Sequence, residues 1–222
     1  IICKTQTLSN SLKEGSVMAG SDITATTAED VQAASTTFIA VAARPTGAFT
    51  LANTEFASSN SFTARTLTVT TTGTADNAKT VTIVGTDLND KSITEVIVST
   101  GSAATVSGSR YFKTIVSATC SAQYAANVSV GITNLSTVTF ITGRARLRAF
   151  TTISTGSSTR VDFMNGLAPG DGPTTTLFST RTSGVDNAAD DVFIPEEGVL
   201  FKSNLMVQYD VSGAKMITAF HA

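Results

Sequence analysis

The chain has 222 residues, of which 41% are hydrophobic and only 14% are charged, and its formal net charge is −2 at pH 7. This composition supplies enough apolar material for a core, and it excludes a protein that binds nucleic acid through bulk positive charge. The sequence contains 39 Thr and 24 Ser. Because threonine is β-branched and suits strands, the composition predicts an all-β fold.

Residues 1–35 are polar and show no clear period, which predicts an extended N-terminal arm that stays disordered or lies on another subunit. Within it, residues 27–30 have the composition of a cap for one short helix that would run through Ala34. No apolar run approaches the ~20 residues of a membrane span. Residues 1–4 also lack the basic start of a signal peptide.

Residues 36–143 carry short apolar runs with turn residues between them, which predicts a first β-sandwich domain. The run 65–71 alternates apolar and polar residues, so one of its faces should be buried. Residues 84–98 are expected to form a strand, a polar turn and a second strand, with Asp87, Asn89 and Asp90 in the turn. The predicted strands are 38–42, 48–51, 65–71, 80–84, 93–98, 111–116 and 128–132.

Residues 144–222 predict a second, small antiparallel β-sandwich or jelly-roll-like domain with roughly seven strands. Asn165 and Gly166 have the composition of a tight hairpin turn. The predicted strands are 144–150, 159–164, 176–179, 192–195, 199–201, 205–209 and 215–220.

The residues that could carry chemistry are few. The single histidine, His221, is next to the end of the sequence, where a frayed tail is a poor place for a general base. Asp87, Asn89 and Asp90 could ligate calcium, but the sixth and twelfth positions of an EF-hand loop counted from Asp87 are a serine and a valine. We therefore predict a turn there, and a non-enzymatic protein without a metal or cofactor.

Charged residues of the second domain form two groups. Arg144, Arg146 and Arg148 alternate along a predicted strand and should share one face, with Ala145, Leu147 and Ala149 on the other. That face is either plainly solvated, or a basic strip that contacts an acidic partner or an acidic loop of the same chain. The acidic residues of this loop are Asp186, Asp190, Asp191, Glu196 and Glu197. We expect their side chains to be solvated. The alternative is that two of these carboxylates act as a pair that hydrolyses a glycan or binds an ion.

Two cysteines, Cys3 and Cys120, are far apart in the sequence. A disulfide framework needs more cysteines at closer spacing, and a zinc site needs more ligands. We therefore predict two free thiols, which fits synthesis in a reducing compartment.

Several short motifs resemble a β-sandwich domain found in structural proteins of tailed-bacteriophage virions. They are TVTIVGTD (80–87), ITE (93–95), FKTI (112–115) and VSVG (128–131), although NDK (89–91) replaces the DGN-type turn that is usual there. The C-terminal part is similar to a second small phage module through VDF (161–163), LF (177–178) and IPEEGVLF (194–201). Together the two resemblances cover about residues 36–222.

The resemblance implies a structural subunit of the virion, of a kind that occurs on head surfaces as decoration or cement proteins and also in necks and tails. The compact β body, the N-terminal arm and the low-charge surface of threonine and serine favour the head surface over the tail, as a capsid decoration or cement protein. Its partners would be the major capsid protein and copies of itself, as a homo-oligomer within the particle, with no nucleic acid and no membrane. Arg144, Arg146 and Arg148 would contact a partner. The alternatives are a tail or neck component, such as an adaptor, tube-associated or fibre-base subunit, and a host-surface glycan-binding module.

Overall fold

The computed structural model describes residues 23–29, 32–56, 63–101, 103–166 and 174–222. Within these ranges all regular elements are strands and all their pairings are antiparallel, which confirms the predicted all-β fold. The strands are β1 (Thr24–Glu29), β2 (Ser35–Ala43), β3 (Thr63–Thr71), β4 (Asn77–Thr86), β5 (Ser92–Thr100), β6 (Thr105–Phe112), β7 (Thr114–Cys120), β8 (Val128–Thr142), β9 (Ala145–Ser154), β10 (Arg160–Gly166), β11 (Thr174–Arg181), β12 (Ala189–Phe193), β13 (Val199–Phe201), β14 (Asn204–Asp210) and β15 (Ala214–His221).

The strands form three sheets. The largest has seven strands in the order β11-β10-β14-β8-β3-β6, with β2 also paired to β8. A five-stranded sheet has the order β1-β15-β9-β12, with β13 also paired to β9. A three-stranded sheet has the order β5-β4-β7. The seven strands β9 to β15 confirm the strand number expected for the C-terminal part.

Two hydrophobic cores join these sheets. In the first core, Ile83 and Ile97 of the three-stranded sheet pack with Leu67 of β3 and with β2 and the first half of β8. In the second core, Phe150 and Ile217 of the five-stranded sheet pack with the second half of β8 and with β10 and β14. The two smaller sheets therefore cover different parts of the seven-stranded sheet. Strand β8 contributes to both cores and ends at Thr142, next to the predicted domain boundary.

Strand β1, which lies within the predicted arm, belongs to this chain's own fold. Strand β1 pairs with β15 through six consecutive residues, from Thr24 opposite His221 to Glu29 opposite Met216. The predicted helix from Thr27 is therefore wrong, because the β-branched threonines of this stretch find a backbone partner in β15. Residues 1–22, including Cys3, lie outside the described residues.

Three further local predictions are wrong. Residues 48–51 contribute only an isolated bridge, between Ala48 and Thr119. Asn165 belongs to β10 instead of a tight turn, because its Oδ1 accepts the N–H groups of Lys202 at 2.7 Å and of Ser203 at 2.9 Å. Strand β3 is buried on both faces instead of one, since it lies between β8 and β6 in the largest sheet.

Candidate interaction surfaces

The three-stranded sheet has an outer face without a charged side chain. Strand β4 alternates, so that Val81 and Ile83 enter the core while Thr82 points outward. Val96 of β5 and Thr119 of β7 flank Thr82 in one row across the sheet. We call the outward side chains of this sheet the three-stranded face. They are Ser92, Thr94, Val96, Val98 and Thr100 of β5, Thr80, Thr82, Val84 and Thr86 of β4, and Thr114, Val116, Ser117 and Thr119 of β7.

A β-bulge raises one valine from this face. The β4–β7 register shifts beside Gly85, and Val116 is the extra residue of β7, with 66% of it exposed. A Cβ on Gly85 would overlap the carbonyl oxygen of Thr114 and press on the ring of Phe112. Glycine therefore lets the bulged backbone approach β4 closely.

The free edge of β5 is protected against strand addition. Glu95 is the inward-pointing charged residue of this strand, and its Oε1 accepts the N–H groups of Ser109 at 2.6 Å and of Arg110 at 3.2 Å. These donors lie where the register between β3 and β6 shifts. An inward charge on one edge and a bulge on the neighbouring edge both discourage pairing with another chain.

The opposite edge, β7, is covered by the segment that follows β2. The N–H of Phe49 donates to the carbonyl of Ala118 at 2.9 Å, and the N–H of Ile115 donates to the carbonyl of Thr54 at 2.8 Å. Both edges of the three-stranded sheet are thus protected, whereas its outer face is open.

The turn between β4 and β5 is organised by Asp87. This carboxylate is buried, and its Oδ1 accepts the N–H groups of Asn89 at 2.8 Å and of Lys91 at 2.9 Å. Asp90 has a positive φ of 61° and pairs with Lys113 at 2.7 Å. The structure therefore confirms the predicted turn, because these bonds are those of an Asx turn.

A second buried carboxylate, Asp76, holds the chain after β3. Its carboxylate accepts hydrogen bonds from Lys79 Nζ at 2.8 Å and from the N–H groups of Ala125 at 2.6 Å and Ala126 at 3.3 Å. Burial alone would raise the pKa of Asp76, but Lys79 and the two backbone donors outweigh it and lower this pKa below its ordinary value. Lys79 also lies 5.4 Å from the ring centroid of Tyr124.

The largest buried side chain of the described residues is Arg65 on β3, which is fully buried. Its Nη2 donates to the carbonyl of Gln32 at 2.8 Å and to that of Thr133 at 2.5 Å, and Nε donates to the same Thr133 carbonyl at 3.2 Å. This guanidinium therefore ties the connection between β1 and β2 to the middle of β8.

The outer face of the five-stranded sheet is mixed in character. Phe193, which is 77% exposed, lies in a row with Ala149, Phe220 and Ala25. The next row includes Asp191, whose Oδ1 accepts the Thr151 hydroxyl at 2.6 Å. We call these outward side chains the five-stranded face. They are Ala25, Thr27 and Glu29 of β1, Met216, Thr218 and Phe220 of β15, Ala149, Thr151 and Ile153 of β9, and Ala189, Asp191 and Phe193 of β12.

The three candidate arginines are separated in their contacts. Arg146 pairs with Glu197 at 3.1 Å, and Arg148 Nη1 donates to the carbonyl of Glu196 at 2.9 Å. Arg144 is exposed at the entrance to β9. Two of the three thus contact the acidic turn of their own chain, while contact with a partner stays a prediction for all three.

The predicted alternation of this strand fails at one position. Leu147 pairs with His221 and Ala149 with Phe220, so Arg148 is an extra residue without a partner in β15. The register shift moves Ala149 to the outer face, whereas Leu147 is fully buried. The expectation that these two share a face is therefore wrong, because a β-bulge interrupts the period of two.

The acidic residues of the second domain have separate partners. Asp190 Oδ2 accepts the N–H of Ser183 at 2.6 Å, and Asp186 lies 3.6 Å from Lys215 Nζ. Among the residues that the structure describes, no group of three or more His, Cys, Asp and Glu has the geometry of a metal site.

His221 is part of β15 and not of a frayed tail, which corrects the sequence-based expectation. It is buried, and its Nε2 lies 2.8 Å from the hydroxyl of Thr26 on β1. Burial lowers the pKa of His221, because the charged imidazolium would lose hydration. The histidine therefore contributes to the seam between β1 and β15.

Cys120 is a free, partly buried thiol, as predicted for this residue. Burial raises its pKa to about 11, which keeps it protonated and weakly nucleophilic near neutral pH. The tyrosines are also enclosed, since Tyr111, Tyr124 and Tyr209 are all buried.

A cleft of about 370 Å³ separates the turn after β4 from β1 and the end of β8. Leu88 and Phe140 supply apolar lining, and Asp90 and Lys113 supply charge. Phe140 is almost fully buried, so its ring offers little surface in the cleft.

No protein-family model and no curated protein matches the chain. Within the described ranges there is no helix with the length and apolarity of a membrane span.

Proposed function

We propose that this protein is a non-enzymatic structural subunit of a tailed-bacteriophage virion, and specifically a decoration or cement protein on the outer surface of the head. The observation that supports this most is that three of the phage-like motifs, TVTIVGTD (80–87), ITE (93–95) and FKTI (112–115), meet at the three-stranded sheet. Gly85 permits the bulge of β7, Asp87 organises the turn, and Glu95 protects the edge of β5. The motifs thus build a contact face, the three-stranded face.

The distribution of charge supports a role in close packing. The three-stranded face consists of valine, threonine and serine, and Asp76 and Asp87 are buried among backbone donors. Such a face approaches another protein without stripping water from charged groups, which is costly. A cement protein acts through contacts of this kind, repeated by the symmetry of the shell.

A tail or neck component is the second candidate, because the same β modules serve in adaptors, tubes and fibre bases. Both candidates use contact faces, so fold alone does not favour one. They differ in the number of copies per particle, which is high for a head decoration protein and low for a neck or tail part.

A glycan-binding module on the host-facing surface is the third candidate. It would require exposed aromatic rings, but Tyr111, Tyr124 and Tyr209 are all buried. Phe193 is the aromatic ring with the largest exposed fraction among the exposed hydrophobic residues. Binding of the purified protein to a glycan array would favour this candidate over the cement function.

The first test of the proposal is the copy number of this chain in purified virions, measured by quantitative mass spectrometry against the major capsid protein. A ratio near one, or a simple fraction of one, is the expected result. A copy number far below that of the shell would contradict decoration and favour the tail or neck function.

The second test compares heads that contain the protein with heads that lack it. A ligand that binds only the assembled shell stabilises that shell by mass action. We expect complete heads to survive higher temperature and stronger osmotic shock, and adding back purified protein should restore that difference. Equal resistance of the two kinds of head would refute the cement function.

A further inference from the structure

The three-stranded face has the layout of a contact surface, with uncharged side chains in the middle and charges only at its ends. Val96, halfway along the outer strand β5, and Val116, on the outer strand β7, are exposed to 54% and 66%. At the turn end lie Lys91 and the Asp90–Lys113 pair, and Lys79 lies at the opposite end. Protein interfaces commonly have this arrangement, in which charged residues are depleted at the core and retained at the rim.

The outer face of the three-stranded sheet is open to a partner, whereas both of its edges are protected. The inward-pointing Glu95 protects the β5 edge, and the segment that contains Glu55 pairs along β7. Addition of a strand from a neighbour is therefore disfavoured on both sides. A partner must pack flat against the outward side chains, as one sheet packs on another about 10 Å away.

We propose that a second copy of this chain occupies the three-stranded face, sheet against sheet. An uncharged face is complementary to itself, because two copies bring no like charges together and strip no ionic group of its water. A strongly charged partner would lose hydration against the same surface without gaining an ion pair. The inference goes beyond the proposed virion function, since it concerns the isolated protein in solution.

The size of the face sets the expected affinity. Three strands about 4.8 Å apart and about nine residues long cover on the order of 400 Å² per copy. Two copies would bury roughly 800 Å², which is below the usual range for stable complexes. We therefore expect a weak dimer that forms at high protein concentration, the condition that a crowded particle surface provides.

The experiment is sedimentation velocity of the full chain over a dilution series from about 1 mM downward, the range in which weak interfaces dissociate. Val96→Lys places a charge on the face, halfway along its outer strand β5. Val185→Lys is the matched control, because Val185 is a valine of comparable exposure, 63% against 54% for Val96, in a loop outside the face. We expect a dimer for the original chain and for Val185→Lys, and at least tenfold weaker association for Val96→Lys.

Two further variants test which face makes the contact and whether the charge or the shape of the new side chain weakens association. Val96→Thr keeps the face uncharged and β-branched and should retain the dimer, while circular dichroism confirms that each variant is folded. Phe193→Lys alters the five-stranded face and should leave association unchanged. The inference is overturned if the original chain is monomeric throughout, if Val96→Lys and Val185→Lys behave alike, or if Phe193→Lys alone abolishes the dimer.

Discussion

The two ends of the molecule differ in how most of their charged residues are bonded. Around the three-stranded sheet, Arg65, Asp76 and Asp87 are buried and bonded mainly to backbone groups. Around the five-stranded sheet, charged residues form side-chain pairs at the surface, such as Arg146 with Glu197 and Lys215 with Asp186. In the first arrangement, buried ionic groups hold turns and connecting segments in place through backbone hydrogen bonds. The outer face then consists of valine, threonine and serine.

This difference has an energetic consequence. A buried ionic group that satisfies backbone donors or acceptors is costly to remove, because those groups lose their only partner. An exposed ion pair contributes little, because water solvates each partner when the other is lost. Substitutions at the two ends should therefore differ sharply in their effect on stability.

The largest effect is expected for Arg65→Ala. The substitution removes the donors that serve the carbonyls of Gln32 and Thr133, and it leaves a cavity beside β3. We expect the free energy of unfolding to fall by about 3–5 kcal/mol. Urea denaturation measures this, with Arg181→Ala on the exposed edge strand β11 as the control. Equal losses for the two variants would contradict the buried role of Arg65.

Asp76→Asn tests how a buried carboxylate near the three-stranded sheet makes the stability of the protein depend on pH. The pKa of Asp76 is lower in the folded protein than in the unfolded chain, so the folded state is favoured while the carboxylate is ionised. This contribution is fully present above the unfolded pKa of about 3.9 and is lost as the pH falls through the lower folded pKa. We expect the variant to lose stability at neutral pH, and to lose less than the original chain on further acidification, as measured by urea midpoints from pH 7 to pH 2.

Gly85→Ala examines the bulge that shapes the three-stranded face. A Cβ at this position meets the backbone of Thr114, which cannot move without disturbing the β4–β7 pairing. We expect a loss of about 1–3 kcal/mol, the usual cost of overpacking. Gly143→Ala is the control for space, since a Cβ there meets no atom within 4 Å, although its φ of 100° adds strain of its own. A Gly85→Ala variant as stable as the original chain would contradict the close approach.

Part of this contrast is present in the sequence. Arg65 has the same parity as Leu67 and Val69, and Glu95 has the same parity as Ile93, so the alternation itself places both charges on the buried side. Asp87 was correctly predicted as a turn residue, because the turn depends on contacts within five residues.

Other features could not be obtained from the sequence pattern. Strand β1 pairs with β15 across almost the whole chain, and no local signal at Thr24 or His221 indicates that contact. The bulge at Arg148 lies between the two stretches of β9 that pair with β13 and with β12. Non-local pairing and bulges are decided by tertiary packing, which local propensity does not describe.

His221→Gln tests how the buried histidine between β1 and β15 contributes to the pH dependence of stability. The pKa of His221 is lowered by burial, so the unfolded chain binds a proton more readily than the folded protein. Stability should therefore fall as the pH drops below the unfolded value of about 6.5, and level off below the folded pKa. We expect this step to be absent in His221→Gln, when melting temperatures are compared from pH 8 to pH 5. A step that persists in the variant would assign it to another group.

The smallest effect is expected for the pair of Arg146 and Glu197. Glu197 is 80% exposed, so water replaces the ion pair at little cost, and Glu197→Ala should change the free energy of unfolding by no more than about 1 kcal/mol. Arg146→Ala should behave similarly, apart from its additional bond to the Glu197 carbonyl. A double-mutant cycle by urea denaturation isolates the coupling between the two side chains. A coupling as large as the loss expected for Arg65→Ala would show that this end also depends on its charges, and the contrast between the two ends would then fail.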